Sequence, residues 1–381
     1  MISDSIPTVL ILEILLRLPA KSIARFNCVS KLWGSMLSQP YFTELFLTRS
    51  SAHPRLLFAI EKKNQWSFFS LPQHQSQYEK SSSSLVVAAN FHMKFPPMRI
   101  CPCGYASGLI YFHGIDHNFV PVICNPITGR YAALPSLERY RINSFSFFGF
   151  DPIDKQFKVL IMAYQFGPDH HKILTLGTGK MRWRKIKCSL PHVNVSVGIS
   201  INGVLYYLGY TYEEMTDYVI VCFDVRSEKF KFVYPESYCK LINYKGKLGV
   251  IYDDGVSDDA MELRMWVLED VEKQKWSKYA YTLRDEKFCD VSVVGVTATG
   301  EIVLSCYITR EPFYVFYYNP ERNTLQRIEI KGFREYHEDR HNFGTVHVFA
   351  DHVEDLNVNE KKLLKSSIYA PYVKTEEEES K

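Results

Sequence analysis

Twelve histidines and a few acidic runs are the residues of this chain whose types and spacing suit bond chemistry. The sharpest run is His337-Glu338-Asp339-Arg340-His341-Asn342-Phe343-Gly344-Thr345-Val346-His347. It fits H-E-x-x-H-x-x-G-x-x-H, in which two histidines one helical turn apart and a third beyond a glycine bind zinc, while the glutamate acts as a base. On that reading the chain is a zinc-dependent hydrolase using His337, His341 and His347 with Glu338. Such chemistry requires an apolar helix under the first two histidines and a methionine turn downstream. Here Arg327-Ile328-Glu329-Ile330 reads as a strand, residues 331–336 read as a charged turn, and the last methionine is Met265. The surroundings weigh against zinc, and no catalytic or metal-binding residue is assigned.

The remaining candidates are weaker. His113 and His117 lie four apart in a stretch of β character, where that spacing does not place them on one helical face, and His170-His171 sits in a Pro-Asp loop. Asp253-Asp254 and Asp258-Asp259 flank Gly255 but lack the spacing and terminal glutamate of a calcium loop, so an acidic loop tip is expected. No G-x-S-x-G, phosphate-cradling Gly-Lys-Ser/Thr loop or C-x-x-C pair occurs. A protein that is not an enzyme and carries no cofactor is the expectation.

Composition narrows the partners. With 381 residues, 46% of them hydrophobic and 14% aromatic, the chain can bury a sizeable core. A net charge of +3 without a long Lys/Arg block favours neither nucleic acid nor an anionic membrane. The nine cysteines are scattered, and with no signal peptide legible they read as free thiols in a reducing compartment, which predicts a cytoplasmic and/or nuclear protein. The N-terminal apolar run spans about a dozen residues, too few to cross a bilayer.

The elements that must position any site begin with that run. Between Pro7 and Leu18 only Thr8, Glu13 and Arg17 interrupt the apolar residues, more than one amphipathic face needs. Pro7 suits a first helical position and Pro19 a stop. A second helix is predicted from near Ser22, carrying Ile23, Phe26, Val29 and Trp33 inward and fading near Gln39-Pro40; a third, short one holds Phe42, Leu45 and Phe46. Three short helices make a core too small for independent stability, so the surplus leucine is expected to be covered by something else.

The order Ile6-Pro7, Leu10, Glu13-Ile14-Leu15, Arg17-Leu18-Pro19, Lys21-Ser22-Ile23, Phe26, Cys28-Val29-Ser30-Lys31, Trp33 and Pro40 to Phe42 resembles an F-box, the module that docks on a Skp-type adaptor. Val9, Leu12 and Gly34 depart from the family pattern. The resemblance implies that these helices plug the protein into a cullin-RING ubiquitin ligase while the remainder captures a protein target. The residues it nominates for the adaptor contact are Pro7, Leu10, Ile14, Leu15, Leu18, Pro19, Val29, Lys31 and Trp33.

Beyond Ser50 the texture changes to short aromatic and β-branched runs punctuated by turns. Aligning a turn residue with the bulky residue six places later gives Asn125 with Tyr131, Gly177 with Trp183, Asp224 with Phe230, Asp270 with Trp276, and Asn319 with Leu325. These anchors lie 52, 47, 46 and 49 residues apart, and each marks the turn of a hairpin. A sixth hairpin is read from Leu56 to Leu71. Further strands are entered at Gly108, Gly203, Gly246 and Gly300, and Phe148 to Tyr164 supplies the one missing. Units of about 50 residues with three or four strands have the size of Kelch-type propeller blades. The recurrent Trp66, Tyr131, Trp183, Phe230 and Trp276 read as core, not as a ligand cage.

The fold predicted is mainly β with a small N-terminal α domain: a three-helix F-box followed by a six-bladed β-propeller closed by N- and C-terminal strands. For closure, Gly344 to Ala350 should join the blade containing Leu56 to Leu71, which removes exposed edges. CNPITGRYAALP, GFDPIDKQFKVL, SINGVLYYLGY, VCFDVRSEKFKFV and FADHVEDLNV resemble the F-box-associated region of a large plant family over most of residues 95–360. The expected division is 1–50 for the F-box, 51–355 for the propeller and 356–381 for a tail, disordered at its acidic end. Together the resemblances imply the substrate-receptor subunit of a Skp-cullin-F-box E3 ubiquitin ligase, with no substrate-binding residue assigned. A propeller scaffold not engaged with a ligase is the other alternative to the hydrolase.

Overall fold

The structure is a computed structural model that describes residues 7–27, 29–73, 85–95, 100–114, 120–135, 145–163, 171–177, 181–211, 217–257, 260–288, 290–333, 343–356, 364 and 366–367. Four helices open it: α1 Thr8–Leu16, α2 Ala20–Phe26, α3 Lys31–Leu37 and α4 Pro40–Ala52. None is long and apolar enough to cross a membrane. The expected second helix is two, because Ser30 leaves the helical region and caps a new one, its Oγ accepting the Trp33 N–H at 3.2 Å. Pro19, not Ser22, precedes the first residue of α2. Pro40 occupies the first turn of α4, which runs 13 residues because nothing in 41–52 breaks it.

Among the described residues the strands form six sheets, the blades of a propeller. Blade 1 is closed as expected: Thr345–His352, from the far end of the chain, is its inner strand and pairs antiparallel with Arg55–Lys62, followed outward by Gln65–Pro72 and Asn90–Lys94. Blade 2 runs outward through Ile100–Ala106, Leu109–Gly114, Val122–Asn125 and Arg130–Ala133. Blade 3 comprises Phe145–Asp151, Gln156–Met162, Lys172–Thr175 and Arg184–Lys185. In blade 4, Val204–Thr211 is flanked inward by His192–Asn194 and Ile199–Ile201 and outward by Tyr218–Asp224 and Phe230–Val233. Blade 5 is Lys240–Tyr244, Lys247–Ser257, Ala260–Asp270 and Lys275–Arg284, and blade 6 is Val291–Val296, Ile302–Cys306, Phe313–Asn319 and Thr324–Lys331.

Apolar runs such as Tyr218–Phe223 are continuous because both faces of every blade are covered, so successive residues of one strand enter different cores. In blade 3, Val159 and Ile161 pack toward blade 2 with Tyr111 and Ile123, whereas Leu160 and Met162 pack toward blade 4 with Tyr207 and Val221. Trp66 is buried, and Tyr131, Trp183, Phe230 and Trp276 pack against these inter-blade cores.

The anchor residues earn their periodicity through hydrogen bonding. Asn125 Oδ1 accepts the Ile127 and Thr128 N–H groups at 2.9 and 3.0 Å. Asp224, Asp270 and Asn319 accept equivalent N–H groups from Ser227, Glu272 and Arg322. At the inner turns, Asn202-Gly203 and Lys245-Gly246 both have two positive φ values, the tight hairpin geometry in which glycine carries no steric cost. Two additions were not foreseen. Leu85–Ala88 joins the outer edge of blade 6 in parallel, and Ser366–Ser367 joins the outer edge of blade 2. The strand Lys247–Ser257 also carries its backbone through Asp253 and Asp254, so these two are not on a loop tip.

Candidate functional site

The zinc pattern divides. His337, Glu338 and His341 lie outside the described residues, and His347 sits half-buried on the inner strand of blade 1 beside the Trp66 ring, 5.6 Å between centroids. Burial holds its imidazole down to about 4. Other strand histidines behave alike. Burial lowers His92 and His352 to about 3, and His192 to about 4, so each stays neutral inside the ring. His113 Nδ1 faces Ser146 Oγ at 3.1 Å, and His171 Nδ1 accepts the Ala163 N–H at 3.0 Å; His117 and His170 lie outside the described residues. Among the described residues no group of three His, Cys, Asp or Glu side chains is arranged to hold a metal. Five described cysteines, at 124, 188, 222, 239 and 306, are buried and outside any disulfide.

The helices present a different kind of site. One side of α1 faces inward: Leu15 and Leu16 are buried with Ile23, Leu37, Phe42 and Phe46, in a cluster continuous with Trp66, Phe68, Ile110 and Phe112 of blades 1 and 2. Its other side is apolar too, and no described part of the chain covers it. Val9 is 70% exposed, Leu10 53% and Ile14 56%. Val29 and Leu32, each 68% exposed, continue this character into the start of α3, and Tyr41 and Leu45 are exposed on α4. An apolar helix with one side in water is incomplete by itself. Exposed Arg17, Arg25 and Lys31 and exposed Glu13 and Glu44 make the surroundings charged in both signs.

Of the nine nominated residues, Pro7, Leu10, Ile14, Pro19, Val29 and Lys31 are exposed, while Leu18 and Trp33 are half-buried, Trp33 stacking on Phe26 at 5.1 Å. Leu15 is different: at 2% exposure it belongs to the core that holds the helices together. Sequence reasoning missed Leu32, although it stands three residues after Val29, and Tyr41, one residue before the buried Phe42. It also set Val9 aside as a departure from pattern.

A second surface lies at the opposite end of the ring. The helices adjoin the end where Arg55 begins its strand and His352 ends its own. Strand direction then places the inner turns at Gly108 and Gly203 on the helix side, and Phe145, Tyr234, Tyr238 and Tyr307 on the far side. These four are 42 to 56% exposed, while Ile153, 69% exposed, lies in a turn on the helix side, and Phe91 and Val197 are exposed elsewhere on the blades. Neighbours hold the far-side tyrosines. Tyr238 packs on Tyr218 at 5.9 Å, and Glu236, between Tyr234 and Tyr238 in the sequence, reaches Arg264 and Lys278 at 3.8 and 3.6 Å. Lys278 lies 3.5 Å over Trp266. Tyr307 OH donates to Asp290 Oδ1 at 2.9 Å, and Arg310 pairs with the same carboxylate at 3.1 Å. Aromatic side chains fixed in this way bind protein surfaces at small entropic cost.

Comparison with known proteins agrees with both halves. A family model described as "F-box domain" matches residues 3–45, and one described as "F-box associated beta propeller domain" matches 55–353. F-box protein At1g47340 of Arabidopsis thaliana is 64% identical over all of this chain and 89% of its own length. F-box protein At2g15640 of the same plant is 55% identical, over 97% of this chain and 98% of that protein. Among solved structures, TolB from Acinetobacter baumannii aligns over 72% of this chain and 63% of its own at 10% identity and a TM-score of 0.45, a likeness too distant to bear on function.

Proposed function

The chain belongs to the plant F-box proteins that carry an F-box-associated β-propeller domain, and from that premise we propose that it is the substrate-receptor subunit of a Skp-cullin-F-box ubiquitin ligase. The observation that carries the reading is the uncovered apolar side of α1, with Val9, Leu10 and Ile14 all more than half exposed and Val29 and Leu32 exposed at the start of α3. A Skp-type adaptor is the occupant, and cullin and RING subunits follow through it. Pro7, Leu10, Ile14, Pro19, Val29 and Lys31 contact the adaptor, joined by Val9 and Leu32; Leu18 and Trp33 contribute their exposed edges. Leu15 shapes this surface from behind.

The far side of the ring captures a protein target through Tyr234, Tyr238, Tyr307 and Phe145. On this account the chain performs no bond chemistry and needs no cofactor. It acts by proximity, raising the effective concentration of a target lysine near a ligase-bound ubiquitin. The division of labour is 1–50 for the adaptor and 51–355 for the target, in the cytoplasm or nucleus. Nothing in the described geometry favours the hydrolase.

Co-expression with a plant Skp-type adaptor tests the reading. A stoichiometric complex is expected on gel filtration, lost in Ile14→Asp combined with Val29→Asp while the melting curve stays in place. An adaptor that ignores the wild-type chain, or binds the double variant equally, overturns it.

A further inference from the structure

After the inner strand of blade 1 ends at His352, the described residues touch the protein at four places. Glu354, 8% exposed, extends Oε2 to the backbone N–H of Ala20, the first residue of α2, at 2.8 Å. Leu356 packs against the apolar cluster that α1, α2 and α4 share with blades 1 and 2. Leu364, 2% exposed, then enters the next cluster along, between blades 2 and 3, with Ala132, Leu134 and Leu174. Ser366–Ser367 finally pair antiparallel with Arg130 and Tyr131, adding a strand to blade 2. The two family matches stop at 45 and 353, so Glu354 and the residues after it belong to neither.

The chemistry at Glu354 explains why a carboxylate stands there. The first N–H groups of a helix have no partner within it, and Pro19, which precedes α2, has no side-chain acceptor. A buried carboxylate in turn requires donors. Glu354 supplies the missing cap from 334 residues away, and its other oxygen lies 3.7 Å from Arg55 Nε. Arg55 Nε donates to Ser70 Oγ at 2.8 Å, which contacts His92 Nε2 at 2.7 Å, and Lys21 Nζ returns to the His92 carbonyl at 2.7 Å. The circuit ties α2 to the inner, second, third and outer strands of blade 1. Along the chain itself, only His53 and Pro54 connect α4 to the ring.

We propose that the described residues after His352 act as a strap, Glu354 and Leu356 on the helices and Leu364 with Ser366–Ser367 on blades 2 and 3, that sets the angle between helices and ring, with Glu354 as its positioning residue. A ligase seated on α1 then meets the far side of the ring at one fixed orientation. That last consequence rests on the adaptor reading, whereas the strap itself does not.

The test uses the full chain as wild type, Glu354→Ala, Glu354→Gln and Leu364→Ala. Spin labels carried on genetically encoded residues at exposed positions 31 and 63 report helix-to-ring distance, and amide exchange reports the cap. The strap predicts a narrow distance distribution in wild type and a broad one in Glu354→Ala, with Ala20 amide exchange at least tenfold faster. Glu354→Gln, which keeps an acceptor oxygen, recovers part of both, and exchange in blade 4 stays unchanged throughout. Should Glu354→Ala fail to fold, Leu364→Ala is expected to broaden the distribution with Glu354 in place. Equal widths in wild type and the folded variants overturn the strap. Loss of adaptor binding by wild type, measured separately, overturns only the adaptor reading.

Discussion

Ile14 and Leu15 are neighbours in sequence with opposite surroundings, and exchanging them separates binding from folding. Ile14 is 56% exposed, so closing it against a partner removes about 80 Å² of apolar surface, worth about 2 kcal/mol at 25 cal/mol per Å². Ile14→Ala should therefore weaken adaptor binding by about 30-fold. Ile14→Asp should weaken it further, because the carboxylate must shed its water. Neither should move stability by more than about 0.5 kcal/mol. Leu15 is 2% exposed in the core shared with the ring, and Leu15→Ala should cost about 3 kcal/mol of stability, mostly through the cavity left behind. Urea denaturation followed by tryptophan fluorescence gives the stability terms, and titration calorimetry with a Skp-type adaptor gives the affinities. An Ile14→Asp chain that binds within twofold of wild type refutes the reasoning. So does a Leu15→Ala chain as stable as wild type.

On the far side of the ring, Tyr238→Ala combined with Tyr307→Ala should reduce the set of proteins biotinylated by a proximity-labelling fusion while leaving adaptor affinity and melting unchanged; an unchanged set would move the capture surface elsewhere. Acid should destabilise the protein below about pH 6.5. The fold keeps His92, His192 and His352 neutral down to about 3 to 4, whereas the unfolded chain protonates them near 6.5, so the unfolded state binds more protons in that interval. Their contribution is complete above pH 6.5 and falls with pH by about 1.4 kcal/mol per unit for each imidazole. Urea midpoints at pH 7 and pH 5 check this, and a midpoint that rises on acidification contradicts it.

Local hydrogen bonding made much of this fold readable. The hairpin turns at Asn125, Asp224, Asp270 and Asn319 announce themselves because their side chains accept N–H groups two or three residues on, within the window a sequence displays. The same holds for Asn202-Gly203, and the Gly344 strand follows because a closed ring needs a partner for Arg55–Lys62. What escaped notice depends on distant partners. Ser366–Ser367 has no periodicity of its own, and its pairing with Arg130 and Tyr131 lies more than 230 residues away. Glu354 carries no local sign that it caps a helix near the N-terminus. The split at Ser30 is a capping event inside an otherwise helical stretch, readable in retrospect from Ser30 standing three residues before Trp33. Adjacent leucines and isoleucines on an all-apolar helix cannot be sorted by hydrophobicity, so the inward Leu15 and the outward Ile14 separate only once the ring is in place.

The central claim is that the helices are finished by an adaptor while the far side of the ring stays open. Amide hydrogen exchange of the full chain, with and without a Skp-type adaptor, measures it directly. Slower exchange is expected in α1 and across residues 29–33, with none at 234–238 or 307–311. An adaptor footprint on the ring, or none on α1, contradicts the claim.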